Sequence, residues 1–135
     1  KDYVFGYTIL NDVSARDVQT AHKQWYFGKS LDGFTPIGPC IVTADAFADY
    51  PPRLGIRSFV NGEKRQDSNT ALQIFDIDHV IAELSQGMTL KAGTIIATGT
   101  PAGVGMGMDP PQFLKPGDVV RCEIEGIGTL TNPVK

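Results

Sequence analysis

The sequence predicts a mainly β protein with short helices. Its 135 residues include 15 glycines and 9 prolines, a frequency typical of a structure with many turns. Most apolar segments are short and rich in β-branched and aromatic residues, which favours strands, while long helical periodicities are few. The length suits one domain, residues 1–135, with a core of its own.

The first elements predicted are a strand, a short helix and a second strand. Residues 3–10 are aromatic and β-branched and predict a strand. Residues 13–19 predict a short helix with Asp12 as its N-cap. Residues 20–28 are expected to form a polar and aromatic loop, and residues 36–43 a turn that leads into a strand.

Two hairpins are predicted further along the chain. The first joins a strand over residues 56–60 to a return strand over residues 63–67. Its turn is Asn61-Gly62, the strongest short hairpin signal. The second joins residues 119–124 to residues 127–130 about Glu125-Gly126.

A helix and a glycine-rich loop are predicted between the hairpins. The helix follows Asp76 or Asp78 as its cap and ends before Gly87. Its apolar stripe consists of Ile77, Val80, Ile81 and Leu84. Residues 94–98 then predict a short buried strand, and residues 99–107 a glycine-rich loop.

Composition and charge exclude several classes of partner. The net charge of −3 gives no basis for binding nucleic acid or an acidic membrane surface, and no apolar run is long enough to cross a bilayer. Cys40 and Cys122 have no CxxC spacing and are expected to be buried thiols in a reducing compartment. We therefore expect a cytoplasmic protein without nucleic-acid or membrane partners.

Three polar residues near the first helix could do chemistry. Asp12, Arg16 and Gln19 are spaced i, i+4 and i+7, so they would share one helix face. In a functional interpretation Asp12 binds a hard cation, Arg16 a substrate carboxylate, and Gln19 donates or accepts a hydrogen bond. In a structural interpretation the face is exposed and carries a cap and an ion pair. Spacing alone favours the structural one.

Two further candidates lie in glycine-containing segments. Gly28-Lys29 resembles the end of a phosphate-binding loop, but Lys23 stands where the motif requires glycine. Lys29 is therefore either a surface lysine or a lone cation directed at an anion. In the loop over residues 98–105, the Thr100 hydroxyl and backbone N–H groups could hold a carboxylate, or the loop could be a tight turn.

Histidine and serine chemistry is not predicted. His22 and His79 lack metal-ligand spacing and are expected to be structural or solvated. Ser14 and Ser30 lack a His/Asp partner, which argues against a serine triad. The aromatic residues 25–27 are expected to pack rather than to form a stacking platform.

Segments of this chain, taken in order, closely resemble the fumarylacetoacetate hydrolase family. The main ones are GYTILNDVSARDVQ (residues 6–19), FGKSLDGFTPIGP (residues 27–39) and TGTPAGVG (residues 98–105). Supporting stretches are VNGEKRQDSNT (residues 60–70), FLKPGDVV (residues 113–120) and EIEGIGTLTN (residues 123–132). The resemblance covers almost the whole chain, and the ordered set is far more specific than any one motif.

The resemblance implies roles for five residues. Asp12 would be the aspartate ligand of a Mg²⁺ or Mn²⁺ ion. Arg16 and Gln19 would line the substrate site, Lys29 would contact the oxo acid end of the substrate, and Thr100 would bind its carboxylate. Arg16 and Lys29 are then the expected catalytic residues, because they place positive charge where negative charge develops.

The implied activity is metal-dependent hydrolysis of a C–C bond in a small 2,4-diketo acid of the acylpyruvate or fumarylacetoacetate type. Alternatives on the same fold are decarboxylation of a 2-oxo acid such as oxaloacetate and isomerisation of a 2-hydroxy-diene-dioate. A catalytically inactive fragment is a further alternative. A cation that stabilises an enolate serves all of these reactions, so the motifs do not separate them. The implied fold is a mixed β-roll, usually dimeric.

Some family features are absent from this sequence. Members carry two metal-binding glutamates in a Glu-x-Glu motif upstream of the segment that begins at Gly6, and a lid with a histidine and an acidic residue. Thr94 also replaces an aspartate that is common in the family. We therefore expect a piece of a longer enzyme, with the N-terminal part of the domain missing and one of three protein ligands to the metal present.

Overall fold

The computed structural model describes residues 1–21 and 23–135, so the expectation for His22 lies outside the described residues. The strands are β1 (Gly6–Leu10), β2 (Ile37–Thr43), β3 (Gly55–Val60), β4 (Glu63–Asn69), β5 (Val119–Ile124) and β6 (Gly128–Pro133). The helices are α1 (Arg16–Ala21), α2 (Trp25–Lys29) and α3 (Ile77–Ser85), with 3-10 turns at Ala44–Ala46, Thr70–Leu72 and Gly105–Gly107. The predicted class, mainly β with short helices, is confirmed.

The larger sheet has four antiparallel strands in the order β4-β3-β5-β6. The β3–β4 turn is formed by Asn61 (φ 52°) and Gly62 (φ 84°), the left-handed pair that tight hairpins need. Both predicted hairpins are confirmed, although their return strands extend further than predicted, to Asn69 and Pro133. This sheet is continuous from one edge to the other.

The smaller sheet pairs β1 with β2 in antiparallel register, from Gly6 opposite Thr43 to Leu10 opposite Ile37. It contacts β5 and β6 of the larger sheet. The most buried apolar residues come from these strands and the β5–β6 turn: Ile9, Val120 and Ile127. The predicted strand at residues 36–43 is confirmed, while the first strand begins at Gly6 and leaves residues 3–5 outside it.

The prediction for residues 12–28 was wrong in its boundaries. The helix begins at Arg16, because the backbone before it bonds elsewhere: Val13 N–H donates to Asn11 O, and Ala15 N–H donates to Gly28 O. Asp12 is therefore not its N-cap. Residues 25–29 form α2 rather than a loop.

Three predictions of burial were also wrong. Residues 94–98 are not a strand, since none of the described strands pairs with them, and Ile95 is 58% exposed. The aromatic side chains at residues 25–27 are exposed, and so is the Cys40 thiol. Cys122 is half-buried, and this burial raises the pKa of its thiol.

Helix α3 is confirmed, with Asp76 as its N-cap: the carboxylate accepts a hydrogen bond from His79 N–H at 2.7 Å. Its apolar stripe is only half-buried. The C-cap residue of α3, Gln86, keeps the right-handed helical backbone conformation. Gly87 follows it without the left-handed conformation of a glycine cap. His79 stacks on Phe75 at 4.7 Å, a structural role as expected. None of the helices in the described part of the chain could span a membrane.

Candidate active site

Asp12 and Lys29 form the centre of the candidate site. Asp12 lies just after β1, and Lys29 is the last residue of α2. Lys29 Nζ donates to Asp12 Oδ2 at 2.5 Å and to Ser14 Oγ at 3.0 Å. The Lys29 side chain is 25% exposed and that of Asp12 41%, so the ammonium is partly enclosed and still reachable from solvent. Lys29 is thus not a free surface lysine, and its partner is an aspartate 17 residues earlier.

A close approach of two backbone segments brings Lys29 to this position. Ala15 N–H donates to Gly28 O at 2.8 Å. A Cβ atom at Gly28 would lie 2.9 Å from Gln19 N and 3.0 Å from Ala15 O, closer than side-chain carbons normally come. The Thr35 hydroxyl then donates to Lys29 O at 3.0 Å and fixes the end of α2. The glycine before Lys29 is therefore needed for helix contact, not for phosphate binding.

Arg16 and Gln19 form a second pair, on α1. Arg16 Nη1 donates to Gln19 Oε1 at 2.7 Å, and Gln19 is 4% exposed. A guanidinium has five N–H donors, and this bond uses one of them. The buried amide therefore orients Arg16 and leaves it able to bind an anion through a second edge.

Thr100 is held by a different element. Its Oγ1 accepts a hydrogen bond from Gln66 Nε2 at 2.8 Å, and the same nitrogen donates to Pro101 O at 2.7 Å. Gln66 belongs to β4, in the larger sheet. Direct contacts thus join Asp12 to Lys29 and Arg16 to Gln19, while Thr100 is attached to β4.

Sequence reasoning missed two residues of this arrangement. Ser14 was considered only as a nucleophile, whereas its hydroxyl oxygen accepts a hydrogen bond from Lys29. Gln66 lies in a segment that supports the family resemblance (residues 60–70), but no role was predicted for it. No local pattern marks either residue, because each acts through a partner at least 15 positions away.

The described residues do not by themselves fit a complete metal site. Among them, no group of three or more His, Cys, Asp or Glu side chains is arranged to hold an ion. Asp12 offers a carboxylate, the oxygen type that Mg²⁺ and Mn²⁺ prefer, and one of its oxygens is engaged by Lys29. The role of Asp12 as a metal ligand stays a prediction.

The carboxylates with lowered pKa lie outside this cluster and have structural partners. A hydrogen bond from Lys64 lowers the pKa of Asp67, one from Tyr50 lowers that of Asp78, and one from Asn61 lowers that of Asp118. Asp67 pairs with Arg57 across β3 and β4, Asp78 lies in the first turn of α3, and Asp118 binds Asn61 of the β3–β4 turn, so these carboxylates have structural partners.

The motif order, the fold and the polar cluster define a family of small-molecule enzymes. The model of the fumarylacetoacetate (FAA) hydrolase C-terminal family matches residues 1–135, and the chain belongs to this family. The predicted recognition is confirmed.

Curated relatives include two oxaloacetate tautomerases. YisK of Bacillus subtilis is 52% identical over 133 residues, which are 98% of this chain and 44% of YisK. The mitochondrial tautomerase fahd2 of Xenopus laevis is 51% identical over 135 residues, covering 98% of this chain and 42% of its own length. The chain thus spans less than half the length of these relatives.

Solved structures confirm the family fold. A fumarylacetoacetate hydrolase from Exiguobacterium antarcticum matches with a TM-score of 0.95 and 56% identity, over 99% of this chain and 48% of that one. A 2-hydroxyhepta-2,4-diene-1,7-dioate isomerase from Mycobacterium marinum matches with a TM-score of 0.83 and 49% identity, over 96% and 47%. Relatives named tautomerase, isomerase and hydrolase support an enzyme at the level of the family. They do not confirm C–C hydrolysis as the particular reaction.

Proposed function

We propose that the protein is a tautomerase or isomerase of a small 2-oxo acid, which moves a proton at the carbon next to the keto group. The observation that carries the proposal is the partly enclosed Lys29 ammonium, held by Asp12 and Ser14. The names of the two tautomerase relatives and of the isomerase structure support it.

The chemistry is the interconversion of a ketone and its enol. Water takes the proton from a C–H bond next to the keto carbon, and the electron pair of that bond forms a C=C double bond. The π pair of the C=O bond moves onto the former keto oxygen, which then takes a proton from water. Negative charge on the oxygen is the costly feature of this step. The Lys29 ammonium would donate a hydrogen bond to that oxygen, and charge stabilisation in a partly dry site contributes about 3–4 kcal/mol in comparable cases.

Substrate binding would come from Arg16 and Thr100. A 2-oxo acid carries a carboxylate beside its keto group, and a dicarboxylic substrate carries a second one. Arg16, oriented by the buried Gln19, would bind a carboxylate through two parallel N–H groups. The Thr100 hydroxyl would bind a carboxylate from the loop fastened to β4.

A divalent cation, Mg²⁺ or Mn²⁺, is part of the proposal because the family resemblance implies one. Its chemistry would be that of a Lewis acid toward the keto oxygen. Asp12 would give one carboxylate ligand, and further ligands would come from outside the described residues. A homodimer is also proposed on the basis of the resemblance, and a cytoplasmic location on the basis of the two cysteines without CxxC spacing.

Hydrolysis of a 2,4-diketo acid is the second candidate, favoured by the match to the Exiguobacterium hydrolase. The test uses the protein at its full natural length with Mg²⁺, oxaloacetate and an acylpyruvate. We expect faster loss of the ultraviolet absorbance of the oxaloacetate enol, without release of CO₂. Cleavage of the acylpyruvate without enol conversion would replace the proposal by the hydrolase, and CO₂ release would indicate the decarboxylase.

The inactive-fragment alternative has its own test. The 135-residue chain alone is titrated with Mn²⁺ and oxalate in a calorimeter, beside Asp12→Ala. Binding that the substitution abolishes would show that Asp12 is a ligand and that the chain assembles the site. Absence of binding, together with activity of the full-length protein, would show that the 135 residues are inactive alone.

A further inference from the structure

Gln66 connects the larger sheet to the glycine-rich loop that carries Thr100. It lies on β4 directly opposite Ser58 of β3, and Ser58 Oγ donates to Gln66 Oε1 at 2.8 Å. On its other side, Gln66 Nε2 donates to Thr100 Oγ1 at 2.8 Å and to Pro101 O at 2.7 Å. A single half-buried amide thus joins two strands to the loop.

The identity of its partners fixes the orientation of this amide. A backbone carbonyl can only accept a hydrogen bond, so the Gln66 atom that faces Pro101 O must be the nitrogen. The oxygen then faces Ser58, whose hydroxyl donates to it. Turning the amide over would place two acceptors together at Pro101. The bond from Gln66 to Thr100 therefore runs in one direction only.

The backbone beside Gln66 holds the loop at a fixed distance. The β3–β4 register shifts after the Ser58–Gln66 pair, which leaves Arg65 as the extra residue of a β-bulge. Gly103, with φ +106°, packs so closely on Arg65 O that a Cβ atom at that position would overlap it. The loop and β4 thus meet at two neighbouring residues, through a side chain and through the backbone.

We propose that Gln66 is a positioning residue that directs the hydroxyl hydrogen of Thr100 toward the substrate carboxylate. The inference rests on the proposed function, in which Thr100 binds that carboxylate. Because Thr100 Oγ1 already accepts from Gln66, its one hydrogen is available to donate. A carboxylate accepts hydrogen bonds and does not donate them, so it needs a partner hydroxyl whose hydrogen is available to donate. The exposed position of Thr100 lets a solute reach it.

The hydrogen-bond direction can be tested without a substrate. The two side-chain N–H signals of Gln66 are compared by NMR in the wild-type protein and in Thr100→Val, which has nearly the same shape and no hydroxyl. We expect one signal to move toward the position of an unbonded amide, while the signal bonded to Pro101 O stays. Two unchanged signals would overturn the proposed contact.

The role in binding is tested by a double-mutant cycle on KM and kcat for oxaloacetate in the full-length protein. Gln66→Leu and Thr100→Val are made singly and together, with Gln86→Leu on the exposed end of α3 as the matched control. We expect Gln66→Leu to raise KM about tenfold with little change in kcat, the effect of losing one hydrogen bond to a charged group. The double variant should be no worse than Thr100→Val, because Gln66 acts through Thr100.

If Gln66→Leu and Thr100→Val changed KM for oxaloacetate independently of each other, the inference would be overturned. The same holds if Gln66→Leu lowers kcat and leaves KM unchanged. If the wild-type protein converts no 2-oxo acid, the proposed function fails, and the cycle is then measured on oxalate affinity. Non-additive losses of oxalate affinity would still support Gln66 as the residue that positions Thr100, and additive losses would reject it.

Discussion

The larger sheet and the site region, defined as residues 11–36 between β1 and β2, are stabilised in different ways. In the larger sheet, neighbouring strands pair along their length with one β-bulge at Arg65, and short turns join β3 to β4 and β5 to β6. In the site region, single contacts join segments that are distant in sequence: Asn11 N–H to Pro36 O, Ala15 N–H to Gly28 O, and Lys29 to Asp12. The larger sheet is thus stabilised by a repeated pattern of backbone hydrogen bonds, whereas the site region depends on contacts between individual residues.

This difference separates stability from function. The larger sheet is stabilised by many backbone hydrogen bonds. A substitution there should therefore change the free energy of unfolding more than it changes the activity. A single charged contact in the site region adds little to stability at its level of exposure but positions a reactive group. Apart from Gln66, which contacts Thr100, substitutions in the two regions should therefore have opposite profiles.

The largest effect is expected at Lys29. Lys29→Met removes the ammonium and keeps much of the side-chain volume, and we expect kcat for enol conversion to fall by about 100-fold, the usual loss for one charge-stabilising donor. The melting temperature should change little, because the remaining Asp12 carboxylate is 41% exposed and can be hydrated. Steady-state kinetics and thermal unfolding measure the two quantities.

Lys91→Met is the matched control for Lys29→Met, since Lys91 is exposed and lies in a turn outside the site region. Its kinetics should equal those of the wild type. Equal activity of the wild type and Lys29→Met would remove Lys29 from the proposed mechanism.

The next effect is expected at Gly28, where stability and function are joined. In Gly28→Ala the added methyl group would lie 2.9 Å from Gln19 N and force α1 and α2 apart. We expect a loss of about 1–3 kcal/mol in the free energy of unfolding, as for overpacked positions, with a fall in activity. Urea unfolding and enol assays on the same samples test this. Gly87→Ala adds the same methyl group where no atom lies within 4 Å and should leave both unchanged.

A smaller effect, confined to stability, is expected at Asn61. Its side chain donates to Asp118 Oδ1 at 2.8 Å and accepts from Val119 N–H at 2.9 Å, so it ties the β3–β4 turn to the start of β5. Asn61→Ala loses both bonds and places alanine at φ 52°, at a cost of about 2 kcal/mol in the free energy of unfolding. Asn61→Gly keeps the backbone conformation and should show a smaller loss. Reduced kcat in either variant, once folded, would contradict the separation of the two regions.

The same difference decides what the sequence could predict. The hairpin at Asn61-Gly62 and the cap at Asp76 depend on residues within a few positions of one another. The hairpin was predicted correctly, and Asp76 was one of the two caps predicted. The start of α1 was wrong by three residues because Ala15 N–H bonds to Gly28 O, a contact that no local pattern contains. Local signals therefore predict the sheet well and the site region poorly.

The site itself was predicted as residues but not as geometry. Asp12 was placed on a helix face with Arg16, whereas the structure pairs it with Lys29. The family resemblance named five polar residues but not their contacts, and their roles in binding and catalysis stay predictions. Gln66 was missed because its function depends on Ser58 and Thr100, which lie 8 and 34 positions away.

The smallest effect expected is a pH dependence of the larger sheet. A hydrogen bond from Asn61 and one from Lys115 N–H hold the pKa of Asp118 below its ordinary value of 3.8. A carboxyl whose pKa is depressed by folding stabilises the fold above its unfolded pKa, and this contribution is lost as pH falls through the folded pKa. Below pH 3.8, the free energy of unfolding should therefore fall less steeply with falling pH in Asp118→Asn than in the wild type.

Urea unfolding at a series of pH values tests this, and Asp49→Asn, in an exposed loop, removes the same charge without touching the turn. Because Asp118 lies outside the site region, enol conversion at neutral pH should stay unchanged, and a parallel loss of activity would mean that the two regions are coupled.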